Sequence, residues 1–407
     1  ASIAYFDFDG MVDVRVISNK ERVNSARVRP LSYKITPDCV GDTVTFSLSR
    51  PRNLSVEVNG DIFHNLHLFA NPIDKFRPSD KEIQRALKKK KGSNLIYFGP
   101  GVHNLPNDTL FVPSGTTVYI DGGARVYGNI FTEGAHDVNI FGRGEVHPDG
   151  RGAGVWVRRS KNVRIDGIVV SQLPIGQCDS VELTNVKSIS YYGWGDGMDV
   201  FSSSNVILDG VFCRNSDDCA AVYASTQGFK GGSNNVLVKN ATLWADVAHP
   251  INIGGHGDPN GMDTVQNVTF RNIDILDQAE NQIDYQGCLA INPGDNTLVR
   301  NITFENIRIE DFRNGQLVNF RISFNPKYCV STGRGIQNVL VKDVTYNGSG
   351  ENLSIIAGYD ENHKISGIRF VNLVVNGRKI TDDMPGKPKW YKTCLLYTSP
   401  SPRDGAT

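Results

Sequence analysis

From about residue 95, short phrases of alternating apolar and polar residues recur along this chain, each ending on Asn, Asp, Gly or Lys. The phrase typified by NVILDG has the period-two pattern of a half-buried strand followed by a turn. It returns at Val118, Val138, Val163, Val181, Val206, Val236, Val268, Ile302, Val339 and Ile368, at intervals of 20, 25, 18, 25, 30, 32, 34, 37 and 29 residues. A unit of that length cannot bury its apolar edge alone, and stacking on its neighbours supplies the core. The pattern therefore predicts an all-β fold, a right-handed parallel β-helix of about ten rungs. Before it, VRVIS, YKITP, TVTFSLS and LSVEVNG are short strand-like runs broken by Gly, Pro and Asn, as in a small β-sandwich. The division expected is an N-terminal sandwich over 1–70, incomplete at its start, a connecting segment over 71–94 and a β-helix over 95–393.

Asn precedes the phrase repeatedly, at Asn162, Asn205, Asn235, Asn267, Asn301 and Asn338. A turn role, or a ladder of hydrogen-bonded Asn side chains, accounts for this better than chemistry does. The N-x-S/T matches at Asn240 and Asn301 are read the same way, as turn and strand residues rather than glycosylation sites.

Charge and composition narrow the function. Lys and Arg balance Asp and Glu at 43 each, and the one basic run, Lys88 to Lys91, follows KEIQRAL as the solvated end of a short helix. No wider basic field suggests nucleic acid, and no apolar run is long enough to span a membrane. Neither is expected as a partner. The cysteines lack the spacing of a disulfide framework. Cys178, Cys213, Cys219 and Cys288 lie within the repeats and are expected as buried thiols. Without a CxxC pair or HExxH, no metal site and no cofactor is expected. The chain starts at Ala1 with no signal peptide visible, and CLLYTSPSPRDGAT (394–407) resembles translated sequencing adaptor, a non-native tail.

The candidate chemistry sits in the middle rungs. Asp196 lies in GWGDGMD, and Asp217 and Asp218 lie in NSDDC, 21 and 22 residues later. That is about one rung, and His249 lies a further rung on. Stacked strands are about 4.8 Å apart, so these side chains can converge on one bond. Acetal hydrolysis needs a protonated acid at the leaving oxygen and an ionised carboxylate for water or direct attack. Crowding raises the proton affinity of at least one acid, and a histidine can tune that proton or hold the pair in place. An isolated Asp would cap a strand end; the run of acids at rung spacing favours catalysis. Asp199, three residues after Asp196, reads as a structural or supporting group. Trp194 and Trp244 are either sugar platforms or core side chains, and Tyr223, Tyr285 and His256 are further candidates for substrate contact.

These motifs resemble those of the polygalacturonase-like family 28 glycoside hydrolases, whose N-T-D-G-x-D, G-D-D-C and G-H-G-x-S-I-G motifs correspond to GWGDGMD, NSDDC and AHPINIG here. The resemblance covers roughly residues 95–380. It implies Asp217 as general acid, Asp196 and Asp218 activating water in an inverting displacement, and His249 beside them; GGHG, with His256, is an alternative histidine match. The family's R-I-K motif, which holds the galacturonate carboxylate, is missing. Aligned through NITFENI, Leu289 and Ile291 replace its cations, so either another cation such as Arg321 substitutes or the sugar there is neutral. The neutral sugar is the expectation. The related family 49 dextranases and isopullulanases are similar in their N-terminal β-sandwich, aspartate triad and neutral glucan substrates.

The expected protein is thus a monomeric polysaccharide hydrolase, extracellular or periplasmic. Two rivals share the architecture. A polysaccharide lyase would use calcium and a basic proton abstractor. A silent glycan-binding β-helix would bind sugar whether or not Asp217 is intact.

Overall fold

The computed structural model describes residues 1–381, except 21, 89–91, 149 and 351, together with 391–393. The chain divides into two compact units, Ala1–Arg77 and the described residues from Pro78 onward. The first unit is a sandwich. One sheet is ordered Ser2–Phe8, Asp61–Pro72, Arg52–Val58, Ala26–Arg29; the other is ordered Val12–Ile17, Thr43–Leu48, Asp38–Val40. Their inward residues, among them Val14, Val44, Phe46, Leu54 and Leu68, form one core. YKITP is not a strand. Leu31–Tyr33 is a single 3-10 turn closed by Lys34 in the left-handed region, and pairing begins only at Asp38. Pro37, which ends the run, and Pro30, three residues before it, have no N–H to give a ladder.

The second unit begins with the helix Asp80–Leu87. Ser79 and Glu82 form a reciprocal capping box at its start, and Lys88 is its exposed C-cap residue. The rest of the basic run lies outside the described residues, as does the tail 394–407. From Leu95 the chain winds into a right-handed parallel β-helix with three faces. The first face carries the repeating phrase. Val138, Val163, Val181, Val206, Val236, Val268, Ile302, Val339 and Ile368 pair in unbroken register. Val118 alone is two residues out of step, opposite Ile140. This valine–isoleucine column points into one continuous apolar core.

The recurring asparagines hold the corners. Each adopts a left-handed φ, from 54° at Asn162 to 56° at Asn338, a region Asn tolerates better than most residues. Each also passes an amide hydrogen bond down the stack. Asn235 donates to Asn205 at 2.7 Å, Asn301 to Asn267 at 3.1 Å and Asn338 to Asn301 at 3.3 Å. A second ladder runs through Asn240, Asn272 and Asn306. The described cysteines are free, and Cys178, Cys213, Cys219 and Cys288 are buried.

Candidate active site

The third face positions the acids. Its strands Met198–Phe201, Ala220–Tyr223, Ile251–Ile253 and Leu289–Ile291 lie side by side. Met198 is opposite Ala220, and Ala220 is opposite Ile251. Asp196, Asp218 and His249 each stand two residues before one of these three, so they occupy the same position on three successive rungs. Backbone bonds continue the ladder through the corner: the Gly197 N–H donates to the Asp218 carbonyl at 2.7 Å, and the Cys219 N–H to the His249 carbonyl at 2.9 Å. Gly197 permits this approach, because a Cβ there would lie 2.2 Å from the Cys219 carbonyl oxygen. The glycine after Asp196 therefore serves the spacing between the acids.

Carboxylate oxygens of Asp196, Asp217 and Asp218 lie within 4.8 Å of one another. Asp196 and Asp217 are partly exposed, and Asp218 is buried. Each oxygen of Asp218 receives two donors. His249 gives Oδ1 its ring Nδ1 at 2.7 Å and its backbone N–H at 3.1 Å. The Tyr223 hydroxyl donates to Oδ2 at 2.5 Å, and Asn252 Nδ2 at 2.8 Å. Asn252 also donates to the Tyr223 oxygen at 3.1 Å, so the three groups polarise one another. With Asp218 ionised, His249 carries its proton on Nδ1.

Environment separates the three acids. Burial pushes the proton affinity of Asp218 upward, but His249, Tyr223 and Asn252 together outweigh it and hold the group below the usual carboxylate range. Asp217 has no such support. Burial, then the Asp218 charge, pushes its pKa up to about 7. Asp196 is raised well above the ordinary value by burial and by the charges of Asp217 and Asp218. Two environments within one cluster thus produce a proton-holding acid and a fixed anion.

The other expected residues separate into three groups. Trp194 is 64% exposed in the loop leading to Asp196. Tyr285 meets the His249 ring edge-on at 4.5 Å and stacks on Tyr328 at 4.9 Å. Trp244, by contrast, is fully buried beneath the Arg214 guanidinium, 4.1 Å from its ring, so no sugar can stack on it. Tyr223 is 7% exposed; it holds Asp218 rather than offering a platform. His256 packs edge-on to Tyr223 at 5.0 Å, and burial lowers its proton affinity. His249, not His256, is the histidine joined to the acids. Asp199 is buried one residue into the strand Met198–Phe201; burial and the Asp196 charge raise its carboxyl well above the usual carboxylate range.

The alignment of the lost R-I-K motif needs correction. Leu289 and Ile291 are fully buried in the helix core, so neither replaces a groove-facing cation. Ile291 pairs with Ile253 and Ala290 with Asn252; the residues flanking core-facing Ile291 are Ala290 and Asn292. These carry no charge either. Sequence reading also missed Asn252, whose role depends on a register that only the stacked strands reveal.

A parallel β-helix with a proton-holding acid beside an ionised carboxylate on one face has the groups that acetal hydrolysis requires. The family model for glycosyl hydrolases family 28 matches residues 153–384, and this chain belongs to that family. An exopolygalacturonase of Cochliobolus carbonum is 24% identical over 206 residues, 44% of this chain and 44% of its own. The chain spans about half the length of the curated relatives it matches. Among solved structures, Dex49A from Penicillium minioluteum superposes with a TM-score of 0.60 at 14% identity, covering 93% of this chain and 78% of that one. The family 28 exopolygalacturonase of Yersinia enterocolitica gives 0.56 at 13%, covering 88% and 85%. At these identities the structures show the shared fold.

Proposed function

We propose that this protein is a polygalacturonase-like glycoside hydrolase that cleaves a polysaccharide by inverting displacement, with a neutral sugar at the position the R-I-K motif serves elsewhere in the family. The observation that carries the reading is the pairing of Asp217, whose pKa is pushed up to about 7, with Asp218, held ionised by His249, Tyr223 and Asn252. Asp217 protonates the leaving glycosidic oxygen. Water, held against Asp196 and oriented by the nearby charge of Asp218, adds to the anomeric carbon. His249 orients Asp218, and Trp194 offers a stacking face beside Asp196. The uncharged Ala290 and Asn292 support a neutral sugar, because neither can make a charge-assisted bond to a uronate.

A second reading has one observation in its favour. Retaining enzymes hold their two carboxyls about 5–5.5 Å apart and inverting ones about 6.5–9.5 Å apart, and here the carboxylate oxygens lie within 4.8 Å. Asp196 would then attack directly. Inversion is supported by family membership and by the presence of a third acid to hold water. Calcium-dependent elimination fits less well, since the donors on Asp218 fill the lone pairs a cation would need.

The test is a panel of neutral and uronic-acid polysaccharides assayed for new reducing ends, followed by proton NMR of the first product. Cleavage of a neutral or mixed polymer with inverted anomer is expected. Strict dependence on polyuronate would overturn the neutral subsite, a retained anomer would overturn inversion, and an unsaturated product abolished by chelator would establish a lyase. Binding without cleavage across the panel would leave only a glycan-binding β-helix.

A further inference from the structure

The four donors on Asp218 divide the labour between the two carboxylates assigned to water. An ionised carboxylate offers about four acceptor positions. In Asp218 these are met by His249 Nδ1 at 2.7 Å, the His249 N–H at 3.1 Å, the Tyr223 hydroxyl at 2.5 Å and Asn252 Nδ2 at 2.8 Å. The donors are themselves buried: His249 and Asn252 are fully covered and Tyr223 is 7% exposed. Phe201 stacks on Tyr223 at 5.9 Å and His256 closes its edge at 5.0 Å, so the hydroxyl cannot readily swing away. A carboxylate saturated in this way has no lone pair to receive a proton from water.

Asp196 is built differently. It is partly exposed, and the main supports of its charge are two backbone N–H groups, those of Asp218 and its own residue. With two such donors against the four on Asp218, it retains acceptor capacity for water.

We propose that Asp196 alone takes the proton from the attacking water, while Asp218 serves as a fixed negative charge that orients the water and favours the cationic anomeric carbon. The inference rests on the hydrolytic reading above. In the step, the water oxygen bonds to the anomeric carbon as its proton passes to Asp196. The bond from that carbon to the glycosidic oxygen breaks, and its electron pair leaves with the oxygen, which takes the proton of Asp217. Asp196 ends protonated and Asp217 ionised, and exchange with solvent restores both. To take that proton Asp196 must be ionised, and a neutral Asp217 favours this by removing one of the charges that raise its proton affinity. Tyr223 and Asn252 become positioning residues that keep Asp218 charged.

Chemical rescue tests the division. Asp196→Ala and Asp218→Ala are each assayed with and without sodium azide on a polysaccharide the wild type cleaves, with melting curves to confirm folding. Loss of the base should cost roughly 10²–10⁴-fold. Azide, which needs no deprotonation, should restore Asp196→Ala by roughly tenfold or more and yield a glycosyl azide. It should leave Asp218→Ala unrescued. Rescue of Asp218→Ala, or a folded Asp196→Ala that azide does not revive, would overturn the proposal. If Asp218→Ala does not fold, the Asp196→Ala arm still decides. A wild type inactive on every substrate would instead defeat the hydrolytic reading, so the two failures are distinguishable.

Discussion

Asp217 and Asp218 are neighbours in sequence with opposite proton affinities, and the difference lies in what surrounds each side chain. Asp217 accepts one backbone N–H, from Asp218 at 3.1 Å, while Asp218 collects two donors on each oxygen. A general acid must carry its proton, so activity should fall as pH rises through about 7, where Asp217 ionises. A kcat/KM profile flat through that pH would contradict the assignment. Asp218 shows the reverse sign. Its folded proton affinity is depressed, so it stays charged until the pH falls well into the acid range. Tyr223→Phe removes one donor to a charged group, an interaction worth about 1.5–3 kcal/mol. The pH at which Asp218 itself protonates, followed by carbon NMR of labelled aspartate, should rise, with little change in the alkaline limb of the rate profile. An unchanged Asp218 titration would mean that Tyr223 only fills space. The clustering of the acids was legible in the sequence because DDC follows DGMD at about one rung's spacing. Tyr223 was legible only as an aromatic near the site, and its hydroxyl contact depends on a side-chain direction that spacing does not encode.

At the scale of the element, the site is a corner repeated on three rungs, and its precision comes from backbone pairing. Asp196, Asp218 and His249 stand at different distances from the preceding phrase, because the loops between differ in length. Register measured from the following strand aligns them. Counting from the phrase could therefore place them on one patch but could not show which of the paired acids lies in line. The same limit explains the misplaced R-I-K residues. In a strand that reads LAI, only the pairing of Ile291 with Ile253 shows which side faces the core. Trp244 likewise lies close to His249 in sequence but on the second face, in Thr242–Ala245. The glycine of the corner gives a direct test. In Gly197→Ala the new methyl would meet the Cys219 carbonyl oxygen at 2.2 Å, forcing the two rungs apart. A loss of roughly 1–3 kcal/mol in stability is expected for such overpacking, and displacing Asp196 by about 1 Å can cost on the order of 10²-fold in rate. Wild-type turnover in this variant, measured beside its melting temperature, would show that the spacing between the acids is not critical.

For the whole molecule, the repeat determined most of what could be read. A column of valine and isoleucine in continuous register and two ladders of asparagine make each rung nearly equivalent to the next. The same phrase therefore predicted both the stack and the turns. Departures from equivalence were harder to see. The first phrase, at Val118, slips by two residues, and YKITP has strand-like composition without a strand's backbone. The acids lie where that equivalence is broken, at the corner shared by Asp196, Asp218 and His249 on successive rungs. The central claim is that this stacking gathers Asp196, Asp217 and Asp218 into one hydrolytic cluster. Its most direct test is the release of reducing ends by Asp217→Asn beside wild type, on a polysaccharide the wild type cleaves. The account predicts that a variant with unchanged fold loses nearly all turnover, since its amide has no acidic proton to give; turnover equal to wild type would contradict it.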